Sequence, residues 1–155
     1  MKLLTLTVLL ALLAVAGIAQ TADATPQYSI AAGAGFNYLE SPQAKGWATF
    51  AAKIADKTYS LSTLDMTSKG SSLRTGLLRT VYSSGGFTLG ILADAGVVAG
   101  QGSVGGAFTG GGVVTCDISK FAKVPGAFAV GAVRVVQAAG GGVSPTFSFG
   151  VGKNF

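Results

Sequence analysis

The sequence predicts an all-β protein: an eight-stranded antiparallel up-and-down transmembrane β-barrel that follows a cleaved signal peptide. Three observations carry this reading. The stretch Val143 to Phe155 alternates strictly, with Val143, Pro145, Phe147, Phe149, Val151, Lys153 and Phe155 on one face and Ser144, Thr146, Ser148, Gly150, Gly152 and Asn154 on the other. Bulky apolar groups on one side, and nothing larger than Asn on the other, suit a wall between lipid and a crowded polar interior. Upstream, the chain divides into further segments of about ten residues with similar alternation, the length that spanning strands need. Finally, 24 of the 155 residues are Gly and only 11% are charged, too few charges to coat the water-facing surface of a soluble domain.

The leader is read from Met1-Lys2, the apolar run Leu3 to Ala16 and the small-x-small site Ala22-Asp23-Ala24. A short basic end, an apolar run of about 14 residues and such a site form a secretory signal peptide, since the run is short for a membrane-spanning helix. Residues 1–24 are assigned to it, with Ala19 as the alternative cleavage point, and residues 25–155 to the barrel. No Cys follows the apolar run, so a lipid anchor is not indicated.

The strands follow in order. Gln27 to Asn37 places Tyr28, Ile30, Ala32, Ala34 and Phe36 on the lipid face. Tyr38 to Gly46, with Pro42, reads as a loop, and Trp47 to Asp56 follows with Ala48, Phe50, Ala52 and Ile54 outward and Lys53 inward. The turn Asp56-Lys57 leads into Thr58 to Met66, where Tyr59, Leu61 and Thr63 share a face. After the polar segment Thr67 to Ser72, Leu73 to Ser83 sets Gly76, Leu78, Thr80 and Tyr82 outward and Arg79 inward. Ser84-Gly85 turns the chain into Gly86 to Val98, with Phe87, Leu89, Ile91, Ala93 and Ala95 outward and Asp94 inward. Ser103 to Thr115 is a Gly-heavy strand around Val104, Phe108 and Val114, and Gly110 to Gly112 leaves room for a bulge. Cys116 to Gly126 is the longest connection; Ala127 to Gln137 and Val143 to Phe155 complete the eight.

The closing strand resembles that of bacterial outer-membrane β-barrels, which end in a C-terminal Phe preceded by apolar residues at alternate positions. Phe147, Phe149, Val151 and Phe155 carry the match; Lys153 departs from it, standing where the family usually has an aromatic or apolar residue. The resemblance is to the small OmpX-like barrels and the OmpA transmembrane domain. It implies an outer-membrane location, contact with outer-membrane lipids and lipopolysaccharide, and insertion by a barrel-assembly machinery that reads the terminal strand. With both termini on the periplasmic side, Tyr28, Tyr59, Tyr82, Phe87 and Phe128 fall near the periplasmic strand ends as an aromatic girdle, and Phe36, Tyr38 and Trp47 fall at the opposite rim. Lys53, Arg79 and Asp94 are the expected lumen charges. Lys45 and Lys69 in outer loops, with Arg74 and Arg134 near the rim, are candidates to meet lipopolysaccharide phosphates.

The function classes narrow from the same residues. Side chains fill an eight-stranded barrel, so no wide pore is expected. The chain has no His, and Glu40, Asp56, Asp65, Asp94 and Asp117 are scattered over different segments, so neither a His-based triad nor a carboxylate pair is on offer. The Gly-rich stretches Gly102 to Gly112 and Gly140 to Gly142 lead into no phosphate-binding helix, and Cys116 reads as a small strand-end residue. No catalytic residue, cofactor or metal is called for. Nucleic acid is not an expected partner, because the net charge of +5 includes no run of basic residues. The expected role is structural or surface-interacting. The alternative is a secreted soluble β-barrel or sandwich that binds a small apolar ligand.

Overall fold

The alternating segments form eight strands: β1 (Tyr28–Tyr38), β2 (Pro42–Ala55), β3 (Thr58–Thr67), β4 (Gly70–Ser84), β5 (Phe87–Gly100), β6 (Ser103–Asp117), β7 (Ala127–Ala138) and β8 (Val143–Asn154). One short helix, α1 (Ser119–Ala122), lies between β6 and β7. This computed structural model describes residues 27–38, 42–100, 102–138 and 142–155; the signal peptide of the sequence reading lies outside them.

Each strand pairs antiparallel with its sequence neighbours and β1 pairs with β8, so the sheet closes without an edge. Following partners from Tyr28 through Ala52, Ser60, Leu77, Ala93, Gly110 and Val135 leads to Pro145, one residue beyond the Thr146–Asn37 pair and therefore level with Tyr38. The circuit returns ten residues up its starting strand. With a rise of about 3.3 Å per residue and about 4.8 Å between strands, that stagger tilts the strands by roughly 40°. At the end carrying the termini, Gly85 and Gly86 have φ of 58° and 83°, the double positive φ that a two-residue hairpin requires. The Phe155 N–H bonds the Tyr28 carbonyl at 2.8 Å, so odd residues of β8 direct their N–H groups toward β1. Pro145 lies just past the last β1–β8 pair, where its missing N–H costs no ladder bond.

β1, β5 and β8 keep the predicted registers. On β5, Ile91 is exposed while Leu92 and Asp94 are buried; on β8, Ser144, Thr146 and Ser148 are buried beneath exposed Val143, Phe147, Phe149 and Val151. β6 runs in unbroken register past Gly110 to Gly112, with no bulge, and extends to Asp117.

Four strands depart from the reading. β2 starts at Pro42 rather than Trp47, because Gln43 to Gly46 pair with β1. Trp47 then points inward, 6% exposed, and its indole N–H bonds the Ala34 carbonyl at 3.1 Å, so it is no part of an outer girdle. On β4 the register of the upper strand is inverted: Leu78 and Thr80 line the lumen, while Arg79 is exposed on the outer face. The cause is a β-bulge between Thr80 and Tyr82, which adds Val81 and lets Tyr82 face outward although Thr80 faces in. Extrapolating one period from Tyr82 therefore carries the wrong parity. Tyr59 and Phe128, expected in the girdle, also line the lumen.

Lumen packing follows one rule. Lys45, Trp47, Arg74, Asp94, Phe128 and Arg134 each stand directly across from a glycine: Gly35, Gly33, Gly96, Gly76, Gly152 and Gly111. A methyl group added at Gly96 would come 2.9 Å from Arg74 Cγ, and one at Gly35 would come 3.1 Å from Lys45 Cε. Gly96→Val should therefore destabilise the barrel by at least about 2 kcal/mol through overpacking. Gly105→Val, where nothing lies within 4 Å, should stay within about 0.5 kcal/mol of the parent. Urea titration of the protein in lipid vesicles measures both.

Candidate functional site

Halfway up the lumen, consecutive strands contribute side chains of alternating charge: Lys45 from β2, Asp65 from β3, Arg74 from β4 and Asp94 from β5. Thr109 of β6 and Arg134 of β7 continue the layer. Inward parity places each of them there, and the glycine opposite most of the large ones gives it room. Lys45 Nζ lies 3.2 Å from Asp65 Oδ1. Arg74 bridges two acids: Nη2 donates to Asp65 Oδ2, and Nη1 lies 3.5 Å from Asp94 Oδ1 while donating to Thr109 Oγ1 at 2.6 Å. Ser72 donates to Asp65 at 3.3 Å. Both Asp94 oxygens are buried with no hydrogen bond among the described residues, so Asp94 is held by charge alone. Arg134 is 5% exposed and lies in no ion pair among the described residues.

The layer separates two cavities. The one toward the β1–β2 and β3–β4 connections measures about 420 Å³ and is walled by polar groups including Asn37, Gln43, Ser71, Ser103 and Ser144. The one toward the termini measures about 180 Å³ and is lined by Leu61, Leu78, Val113, Phe128 and Val130 together with the hydroxyl residues Thr49, Tyr59, Thr80, Thr88 and Thr115. Beside it, Ala51, Leu61, Leu92, Val113 and Ala132 pack together, with Leu78 and Val130 against them. This barrel thus has a small hydrophobic core in the half toward the termini and a second cavity in the other half, with a buried charge layer between them.

Of the expected lumen charges, Asp94 lies in the layer; Lys53 is half-buried, on the same face as its partner Tyr59 near the termini; Arg79 is outside. The layer instead draws on Lys45, Arg74 and Arg134, which were expected at the outer rim, and on Asp65. Only Lys69 of those four basic residues remains at the rim, in the β3–β4 turn. Asp65 continues the face of Tyr59, Leu61 and Thr63, which the structure turns inward rather than toward the girdle expected for Tyr59. Lys45 was hidden by reading its strand as a loop. Among the girdle candidates Tyr28, Tyr82 and Phe87 are on the outer face, with Tyr28 stacked on Phe50 at 5.8 Å between ring centroids. Phe147, Phe149, Val151 and Phe155 are all exposed, and Lys153 lies 5.0 Å above the Phe155 ring.

No protein-family model matches this sequence, and no curated protein matches it. Solved structures do. The N-terminal β-barrel domain of Pseudomonas aeruginosa OprF superposes with a TM-score of 0.65 at 12% identity, over 83% of this chain and 97% of that one. The fold is that of the small eight-stranded outer-membrane barrels. The Yersinia pestis outer membrane protein Ail in a phospholipid bilayer nanodisc is similar with a TM-score of 0.59 at 9% identity, over 84% of this chain and 100% of that one. A de novo designed transmembrane β-barrel gives 0.57 at 11% identity, over 83% and 95%.

Arg74 holds two carboxylates, so Arg74→Met should cost about 3–5 kcal/mol by leaving Asp94 without an ion pair and Asp65 with Lys45 alone. Asp94→Asn, which loses an ion pair but no hydrogen bond, should cost less than half as much. Urea midpoints in vesicles give the ratio, and equal costs would show that Arg74 does not organise the layer.

Proposed function

We propose that this chain is an integral, non-catalytic protein of a bacterial outer membrane, with a structural or surface-contact role and no wide pore. The observation that carries this is the distribution of charge between the two faces of the wall. Among the described strand residues, only Arg79 and Lys153 bring charge to the outer face, and both lie near the termini end. The rest of that face is Ile30, Phe36, Leu77, Ile91, Phe108, Val133, Phe147 and Phe149 among small residues, all exposed. A soluble barrel keeps its charge outside; this wall turns nearly all of its charge inward and a band of large apolar side chains outward, which suits lipid. Arg79 and Lys153 reach the headgroup region by extending along the wall.

With the termini periplasmic, the β6–β7 connection is the longest one and also periplasmic. It presents Phe121, 91% exposed, next to Lys120 and Lys123, a pairing of ring and cations suited to the phospholipid interface. The opposite rim carries short connections, such as Ser68-Lys69 between β3 and β4, which limits the surface for a partner there. Lipopolysaccharide contact by the four basic residues first considered reduces to Lys69. The terminal strand is the segment we assign to recognition by the assembly machinery, through Phe147, Phe149, Val151 and Phe155.

Two outcomes test this reading. The protein should leave membranes only in detergent, migrate differently on a gel before and after heating, and lose about 2–4 kcal/mol of stability on Ile91→Arg near the bilayer midplane; recovery in a soluble fraction would defeat it. Deletion of Phe155 should sharply lower the amount of barrel inserted in cells, while the variant folds in synthetic lipid at close to parental yield. Normal outer-membrane levels of that variant would show that the terminal ring is not a recognition mark.

A further inference from the structure

The central layer holds three cations, Lys45, Arg74 and Arg134, and two carboxylates, Asp65 and Asp94. Arg74 lies against both acids and Lys45 against Asp65. One positive charge is left over, and it resides on Arg134, whose Nε is sealed from solvent without a hydrogen-bond partner among the described residues. Asp65 and Asp94 attract Arg134 only from beyond ion-pair distance, and a buried guanidinium with no counter-ion in contact is unfavourable. Among the described residues, Arg134 is also the one charged wall of the 180 Å³ cavity on the termini side.

The other walls of that cavity set the chemistry of what would neutralise it. Leu61, Leu78, Val113, Phe128 and Val130 offer carbon over most of the wall, the hydroxyl residues Thr49, Tyr59, Thr80, Thr88 and Thr115 stand among them, and Ser29 and Asn154 lie where the cavity approaches the termini. An apolar cavity of about 150 Å³ accommodates a benzene ring. A bare halide would leave these apolar walls facing water, and a dianion would exceed the single unmatched charge. We propose that this half of the lumen binds a small monocarboxylate with a compact apolar body, reached from the termini side. Its carboxylate takes two parallel hydrogen bonds from the Arg134 guanidinium, and its apolar body packs against Leu61, Val113 and Val130. This is a binding site, separate from the envelope role and resting only on the lumen geometry.

Trp47 is the only tryptophan in the chain and lines the same cavity, so its emission reports occupancy. The test is a titration of the protein, folded in detergent at constant ionic strength, with benzoate, benzyl alcohol and chloride. Benzoate should produce a saturable change; benzyl alcohol should bind at least about tenfold more weakly, and chloride should not reproduce the change. Arg134→Met should abolish the benzoate response and Arg134→Lys should keep part of it. If Arg134→Met fails to fold, by loss of heat-modifiable migration, the comparison of benzoate with benzyl alcohol in the parent protein decides. Equal responses to the two would reveal a neutral apolar void, an identical response to chloride would reveal a bare anion site, and no response to benzoate would remove the site. Each of these overturns the proposal.

Discussion

The structure depends on a limit of volume. A closed sheet of eight strands leaves an interior about as wide as the side chains that fill it, so a large inward residue fits only where the strand beside it gives way. Here it gives way to hydrogen: Trp47 lies across from Gly33, Arg74 from Gly96, Asp94 from Gly76 and Arg134 from Gly111. The abundance of glycine in this chain is thus a packing requirement as much as a matter of turns. The same limit explains why charges can gather in one layer, since each long side chain lies over a neighbour's bare backbone instead of competing for the axis.

That layer does two jobs that separate chains of packing would otherwise have to do. It ties four consecutive strands, β2 to β5, through Lys45, Asp65, Arg74 and Asp94, and it divides the lumen into two cavities. Outside, burial in lipid supplies no drive to bring strands together, because acyl chains are as apolar as the wall. Inside, hydrogen bonds and ion pairs in a medium of low dielectric are stronger than they are in water, provided that every member is satisfied. Arg134 lies in no ion pair among the described residues, and it borders the cavity toward the termini.

Much of the architecture was legible in the alternation. Strand number, the β5 and β8 registers and the outward face of β1 follow from period two alone. What was not legible has local causes. Pro42 and Gly46 made the start of β2 look like a loop, although a proline at a strand's first residue breaks nothing. The bulge at Val81 leaves no mark in composition, yet it reverses the parity of everything before it and moved Arg79 from the expected lumen to the outer face. Tyr59 and Phe128 are amphipathic or apolar rings near strand ends, and their side was decided by Gly152 and the pairing with Lys53, which exist only after the strands meet. The central layer was the hardest part, since its members are spread from residue 45 to residue 134 and are joined by register, not by spacing.

The alternating charges have a consequence for how the barrel reaches its final pairing. Because side chains change face with every residue, a strand that docks one position out of line turns its whole inner set toward lipid. For β2, β4 or β7 such a slip would expel Lys45, Arg74 or Arg134 into the hydrocarbon, at about 2–4 kcal/mol for each basic group near the midplane. The apolar wall alone tolerates such errors, since small and apolar residues occupy much of both faces. The ionic belt therefore serves as a proofreader during assembly: it makes a one-residue slip of these strands costly before the last seam, β1 to β8, is closed.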